Sequence, residues 1–161
     1  MMIPTQVTMI PLFVVMNRLG LINTYPSVIL PSLFRAFAVF MLVQQMRGIP
    51  DDYMEAAELD GASLFRIYRT VILPLSKSSI ATLTVTTFME SWNDYLWPLL
   101  MLNDKNKMTL TLALNSLNGQ YGTEYNLLMA GSLISMIPII IVYICAQKYF
   151  KEGLMAGGVK G

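Results

Sequence analysis

Residues 127–146, LLMAGSLISMIPIIIVYICA, form an apolar run without a single charge. A helix needs roughly 20 such residues to cross the hydrocarbon layer of a bilayer, and no other feature limits the fold so tightly. Pro138 predicts a kink inside the run, tolerable where neighbouring helices cover the freed carbonyl. Three further stretches point the same way. Residues 27–43 are apolar apart from Arg35. Residues 79–102 are long but carry Glu90, Asn93 and Asp94. Residues 3–19 are interrupted by Pro4 and Pro11 and are marginal in length. The alternative is a set of buried core helices in a soluble protein. That requires a polar shell, and of the 161 residues 55% are hydrophobic and only 13% charged; ordinary globular chains carry roughly 25% charged residues. The sequence therefore predicts an all-α fold, a polytopic transmembrane helix bundle of about four spanning helices.

Composition removes several chemistries. There is no histidine and one cysteine, Cys145. A disulfide framework is excluded, as are Ser-His-Asp and Cys-His catalysis, and no metal or other cofactor is predicted. The formal net charge is +1, from 11 Lys plus Arg against 10 Asp plus Glu, which gives no electrostatic case for nucleic acid. The 13 methionines read as core filler rather than a metal path. Membrane lipid is the expected surrounding.

Lys and Arg in the connections set the orientation. Residues 44–78 hold Arg47, Arg66, Arg69 and Lys77, and the tail holds Lys148, Lys151 and Lys160. The opposite side holds Arg18, Lys105 and Lys107. Seven against three places residues 44–78 and the C-terminus in the cytoplasm.

Residues 48–77, GIPDDYMEAAELDGASLFRIYRTVILPLSK, are the most informative part of the chain. Pro50 closes whatever precedes it. Asp52 followed by Glu55 resembles a capping box, which predicts a short helix over 52–60. Gly61 is a natural stop. A second short helix is predicted over 63–72, ended by Pro74. Ala56 and Ala57 lack bulk, so another protein can approach closely. Glu55, Glu58 and Asp60 form an acidic edge suited to Arg or Lys on a partner. An amphipathic connector lying on headgroups is the alternative, and the acidic edge disfavours it because the cytoplasmic leaflet is itself negative.

Glu55-Ala56-Ala57, then three residues, Gly61, nine residues, and Val71-Ile72-Leu73-Pro74 resembles the EAA loop of ABC importer permeases. That motif reads EAA, three residues, G, nine residues, I, one residue, LP; only the isoleucine position departs, with Val71 in its place. The resemblance continues through Ser91-Trp92-Asn93-Asp94-Tyr95-Leu96-Trp97-Pro98-Leu99, Gly119-Gln120-Tyr121-Gly122-Thr123 and Gly153-Leu154-Met155-Ala156-Gly157-Gly158-Val159-Lys160-Gly161. Residues 3–21 are similar to an internal helix of these permeases. The match covers nearly the whole chain and is closest to the carbohydrate branch, in the subunit type related to the maltose importer's smaller permease.

The resemblance implies a permease subunit of a binding-protein-dependent sugar importer in the cell membrane. Residues 1–161 would form one permease domain lacking about two N-terminal helices, either a C-terminal portion or a short form. Residues 48–77 would be its cytoplasmic coupling loop, gripped by one of two ABC ATPase subunits. The coupling residues carried over are Glu55, Ala56, Ala57, Asp60, Gly61, Leu73 and Pro74. A second permease subunit and an extracytoplasmic solute-binding protein complete the expected set of partners. The chain has no G-x-x-x-x-G-K-[ST] phosphate loop, so ATP hydrolysis falls to the separate subunit and no enzyme activity is expected.

Glu90 and Asp94 are four residues apart and so are expected on one helix face, with Asn93 beside them. Charges at bilayer depth cost about 2.5 kcal/mol or more each and usually face a bundle interior or a wet cavity. Glu90, Asn93, Asp94 and Arg35 therefore line either the translocation path or the contact with the other permease. The structural alternative is that they hold helices together or sit in a wet vestibule near the outer face, where Trp92, Tyr95 and Trp97 would form an interfacial belt. Arg35 either snorkels or pairs with Glu90 or Asp94. An ion-coupled secondary transporter using Glu90 and Asp94, a glycoside-cleaving carboxylate pair and a non-transporting membrane scaffold are the rival functions.

Residues 103–126 are polar. A short interfacial helix fits 109–117, and the resemblance implies that Asn118, Gly119, Gln120 and Tyr121 contact the binding protein; a plain solvated loop is the alternative. The Gly-rich tail, 153–161, is expected to be mobile unless a partner orders it.

Overall fold

The computed structural model describes residues 4–119 and 122–157. They are almost wholly helical and fall into two compact units, taken here in turn.

The first unit comprises the chain up to Arg35 and the segment Phe88–Ile141. Helix α1 (Thr5–Arg18) starts behind the extended Pro4 and ends in a left-handed glycine, Gly20, at φ +68°. Gly20 N–H donates to Asn17 O and Leu21 N–H to Met16 O, both at 3.0 Å, so the last carbonyls are capped in a Schellman turn. Helix α2 (Tyr25–Ser32) has Pro26 in its first turn, where a missing N–H costs nothing. Pro31, near its end, has no N–H to offer the Ser27 carbonyl four residues back. The indole Nε1–H of Trp97, in α8 (Leu96–Met101), donates to that carbonyl instead, at 3.0 Å.

Met16, Trp97, Met101, Leu102 and Leu112 form the core of this unit, with Met9, Leu12, Phe13 and Val28 packed around it. Lipid tails are as apolar as these side chains, so the packing gains through close fit rather than through removal from water. Trp97 is thus a core residue of this unit. Its polar edge is satisfied by Ser27, so it has no need of water. Helix α9 (Leu110–Ser116) forms where predicted, and Thr109 Oγ1 caps it by accepting from Leu112 N–H at 3.3 Å.

The second unit comprises Ala36–Thr87 and the chain from Val142 onward. It holds α3 (Ala36–Arg47), α4 (Asp52–Leu59) and a continuous helical run, Leu64–Leu75. That run is α5 (Leu64–Ile67), a π-helical turn (Tyr68–Ile72) and α6 (Leu73–Leu75). Helix α7 (Lys77–Trp92) follows at an angle of 71° to this run. Most of α7 lies in this unit, and its last turn belongs to the first.

Two segments are long and apolar enough to cross a membrane: Tyr25–Arg47, with a mean hydropathy of 1.8, and Tyr125–Lys148, at 2.4. Among the described residues the number becomes three if the bent pair Leu64–Leu75 and Lys77–Trp92 counts as one span. By length, these are fewer than the four apolar stretches read from the sequence. Among the described residues α1 covers 14, and the run over 79–102 breaks at 93–95, between α7 and α8. Helix α10 (Tyr125–Gly157) continues past Gly153 into the Gly-rich tail. Leu154, Met155 and Ala156 are good helix formers, and they outweigh the glycines at either side of them.

Candidate functional site

The arm formed by residues 48–77 is built by local backbone chemistry. Helix α4 begins at Asp52, but the capping box does not form. Asp51 is the N-cap, its side chain makes no capping bond, and its carbonyl accepts from Met54 N–H at 2.8 Å and Glu55 N–H at 3.0 Å. Asp52 and Glu55 sit in the first helical turn, where the helix dipole favours negative charge. The helix stops as predicted at Gly61, with φ +74°. Gly61 N–H donates to Glu58 O at 2.9 Å and Ala62 N–H to Ala57 O at 3.0 Å, the same Schellman closure that ends α1.

Pro74 does not end the second helix, which runs on to Leu75. A proline in an α-helix clashes with the carbonyl four residues back, here Thr70. The π-helical turn Tyr68–Ile72 widens the helix over that carbonyl and lets the chain continue.

Glu55, Ala56, Asp60 and Gly61 are exposed along α4 and its turn, and Ala57 is half-buried. Leu73 is half-buried and Pro74 exposed. The turn also presents Leu59, Leu64 and Phe65 at 90%, 80% and 72% exposure. An exposed apolar tip beside an acidic edge is more than a plainly solvated surface carries. Sequence reasoning singled out the acidic edge and missed the tip, which was legible as Leu-x₄-Leu-Phe around the glycine.

The intramembrane polar residues are only partly brought together. Arg35 lies in the break between α2 and α3. Its Nε donates to Ser32 O at 3.3 Å, one terminal nitrogen forms an ion pair with Glu90, and the other donates to Ser91 Oγ at 3.0 Å. Arg35 thereby caps a frayed helix end and ties it to the last turn of α7. Glu90 and Asp94 do not share a helix face. Helix α7 ends at Trp92, and Asp94 lies beyond it, where its side chain accepts from Trp97 N–H in the first turn of α8 at 3.4 Å. Asn93 folds back so that its Nδ2 donates to Met89 O at 2.8 Å.

Two more bonds fix the end of α7. Trp92 Nε1–H donates to Ser135 O in α10 at 3.1 Å, and Thr111 Oγ1 in α9 donates to Trp92 O at 2.7 Å. The carboxylates are thus arranged as supports of chain breaks, and no cluster of three or more metal-ligating side chains occurs among the described residues.

Asn118–Gly119 pairs antiparallel with Gly122–Thr123 in a two-residue ladder. Gln120 and Tyr121 lie outside the described residues. A second loop contact was missed from sequence. Asn23, at φ +60°, donates its N–H to Met101 O at 2.8 Å, and its side-chain oxygen accepts from Asn103 N–H and Asp104 N–H at 3.2 and 3.1 Å. Its carbonyl accepts from Lys107 Nζ at 2.9 Å. An asparagine between two helices, in a position that tolerates left-handed backbone, was the available signal.

Comparison with known proteins adds a second line. Residues 1–155 match the family described as binding-protein-dependent transport system inner membrane component. The arabinooligosaccharides transport system permease protein AraQ of Halalkalibacterium halodurans is 42% identical over 161 residues, all of this chain and 58% of that protein. The lactose transport system permease protein LacG of Rhizobium radiobacter is 35% identical over 160 residues, covering 99% of this chain and 58% of LacG. The sn-glycerol-3-phosphate transport system permease protein UgpE of Pectobacterium atrosepticum is 38% identical over 157 residues, 96% of this chain and 56% of UgpE. A crystal structure of a bacterial ABC transporter involved in the import of the acidic polysaccharide alginate superposes with a TM-score of 0.74 at 29% identity, over 88% of this chain and 55% of the other. The chain thus spans a little over half the length of these relatives. With an all-helical, membrane-spanning fold and a family match over nearly its whole length, this chain belongs to the inner membrane components of binding-protein-dependent transport systems.

Proposed function

We propose that this chain is the permease part of a binding-protein-dependent ABC importer for a carbohydrate, contributing half of the membrane path. The observation that carries the reading is the arm: a helix bearing the EAA sequence with Glu55 and Ala56 exposed, and a glycine turn with an apolar tip. Residues 1–161 act as one permease domain with 48–77 as its coupling loop. The arm and the C-terminus face the cytoplasm, in keeping with the distribution of Lys and Arg. One of two cytoplasmic ATPase subunits grips the arm, with Glu55, Ala56, Ala57, Asp60 and Gly61 at the contact and Leu73 and Pro74 joining it to the membrane helices. A second permease subunit completes the path. Arg35, Glu90, Asn93 and Asp94 stand along it or at the contact between permeases. An extracytoplasmic binding protein delivers the solute, with Asn118, Gly119, Gln120 and Tyr121 on the face it meets. The relatives named for arabinooligosaccharides and lactose support a saccharide as the solute class.

The test is uptake in proteoliposomes containing the chain with its ATPase, partner permease and binding protein. The expected result is saccharide uptake that needs ATP and is lost in Glu55→Lys while hydrolysis continues. Uptake driven by a pH gradient without ATP would replace this reading with the ion-coupled one.

A further inference from the structure

Ser76 lies where the run Leu64–Leu75 meets α7 at 71°. Its backbone is satisfied: its N–H donates to Ile72 O at 3.0 Å, and its carbonyl accepts from Ile80 N–H at 2.9 Å. Its backbone angles, φ −92° and ψ 3°, depart from helical values. The side chain is fully buried, and its Oγ is the one buried side-chain polar atom without a hydrogen-bond partner among the described residues. Four threonine hydroxyls on the flanking helices are engaged with the carbonyl four residues back. Thr70 donates to Arg66 O at 2.7 Å, Thr82 to Ser78 O at 3.0 Å, Thr84 to Ile80 O at 2.8 Å and Thr86 to Thr82 O at 2.9 Å. For Ser76 the corresponding acceptor is the Ile72 carbonyl, the geometry an uninterrupted helix offers. The helix before the bend is already softened by a π-helical turn and by Pro74, which has no N–H.

We infer that the bend at Ser76 is a hinge with two settings. In the bent setting the hydroxyl is stranded. In a straighter setting it donates to the Ile72 carbonyl. A stranded buried hydroxyl disfavours the state that contains it, which narrows the gap to the straighter setting, and a partner holding the arm can bias one setting over the other. Motion of the arm then reaches the membrane as a change of angle at Ser76, not as a rigid displacement of the arm and α7 together. The inference rests on the proposed coupling to an ATPase, which supplies the pull.

The test places spin labels at cysteines replacing Arg69 and Thr84, with Cys145→Ser, in the assembled transporter. Each label sits seven or eight residues from Ser76, about 10–12 Å along its helix, so full straightening of the 71° bend lengthens their separation by about 4 Å. Two separations are expected, with populations that differ between the nucleotide-free and ATP-trapped complexes. Ser76→Ala relieves the stranded hydroxyl and should enrich the bent population about fivefold or more. Pro74→Ala restores a backbone donor and should enrich the straight one. A separation that nucleotide does not move, or variants that fail to shift in opposite directions, overturns the hinge. Crosslinking of residue 55 to the ATPase is scored separately: its loss counts against the coupling reading, whereas the label separation alone decides the hinge.

Discussion

Trp97 donates its indole N–H to the carbonyl of Ser27, 3.0 Å away and seventy residues earlier in the chain. The bond exists because Pro31 leaves that carbonyl without its helical donor. Trp97→Phe keeps most of the packing but strands a buried acceptor, at a cost of about 1–3 kcal/mol. Pro31→Ala should restore the backbone donor, so the double variant Pro31→Ala/Trp97→Phe is expected to unfold at a higher temperature than Trp97→Phe alone. Thermal unfolding in detergent measures both.

Arg35 holds three groups at once, Ser32 O, Glu90 and Ser91. Interhelical polar contacts in membranes average about 0.6 kcal/mol and reach about 1.7. A double-mutant cycle with Arg35→Met and Glu90→Gln should give a coupling energy within that range. Arg35→Lys should behave more like Arg35→Met than like the parent chain, because one ammonium cannot reproduce the guanidinium fork. A coupling energy of zero would show that the ion pair is incidental.

Gly61 has φ +74°, and an added Cβ would meet nothing within 4 Å. Any penalty at this site is therefore one of backbone conformation. Gly61→Ala should cost about 1–2 kcal/mol of local stability, and Gly61→Asn less. Faster amide exchange across α4 and reduced ATP-driven uptake are expected in the same order, Ala worse than Asn.

A Cβ on Gly131 would lie 2.2 Å from Leu114 Cδ2, so the Leu114 side chain of α9 packs directly onto this glycine of α10. Small residues at such contacts let membrane helices pack. Gly131→Ala should lower the unfolding temperature, and Leu114→Ala in the same chain should recover part of the loss. Strictly additive effects would place the two side chains out of contact.

The arm was legible in the sequence because its signals are local. Gly61 marks a left-handed turn wherever it stands, and the spacing from Glu55 to Pro74 is a matter of counting. The cap was misread because Asp51 and Asp52 are chemically alike, and only the backbone distinguishes which begins the helix. Pro74 was misread as a stop because a π-helical turn, which relieves its clash, leaves no mark in composition. Glu90 and Asp94 were placed on one face by assuming that an apolar run is one helix. The break at 93–95 is fixed by contacts from α9, α10 and α2, none of them neighbours in sequence. The type of Trp97 does not reveal its partner; the bond to Ser27 O answers to Pro31, sixty-six positions away.

Asn23 stitches the connection after α1 to the one after α8, eighty residues on. Through that stitch the two connections inherit one another's dimensions. A residue gained or lost in either would have to be answered in the other, since the same amide serves both. Variation in loop length among descendants of this chain is thereby steered away from this pair and toward joints where no single side chain has signed for both ends.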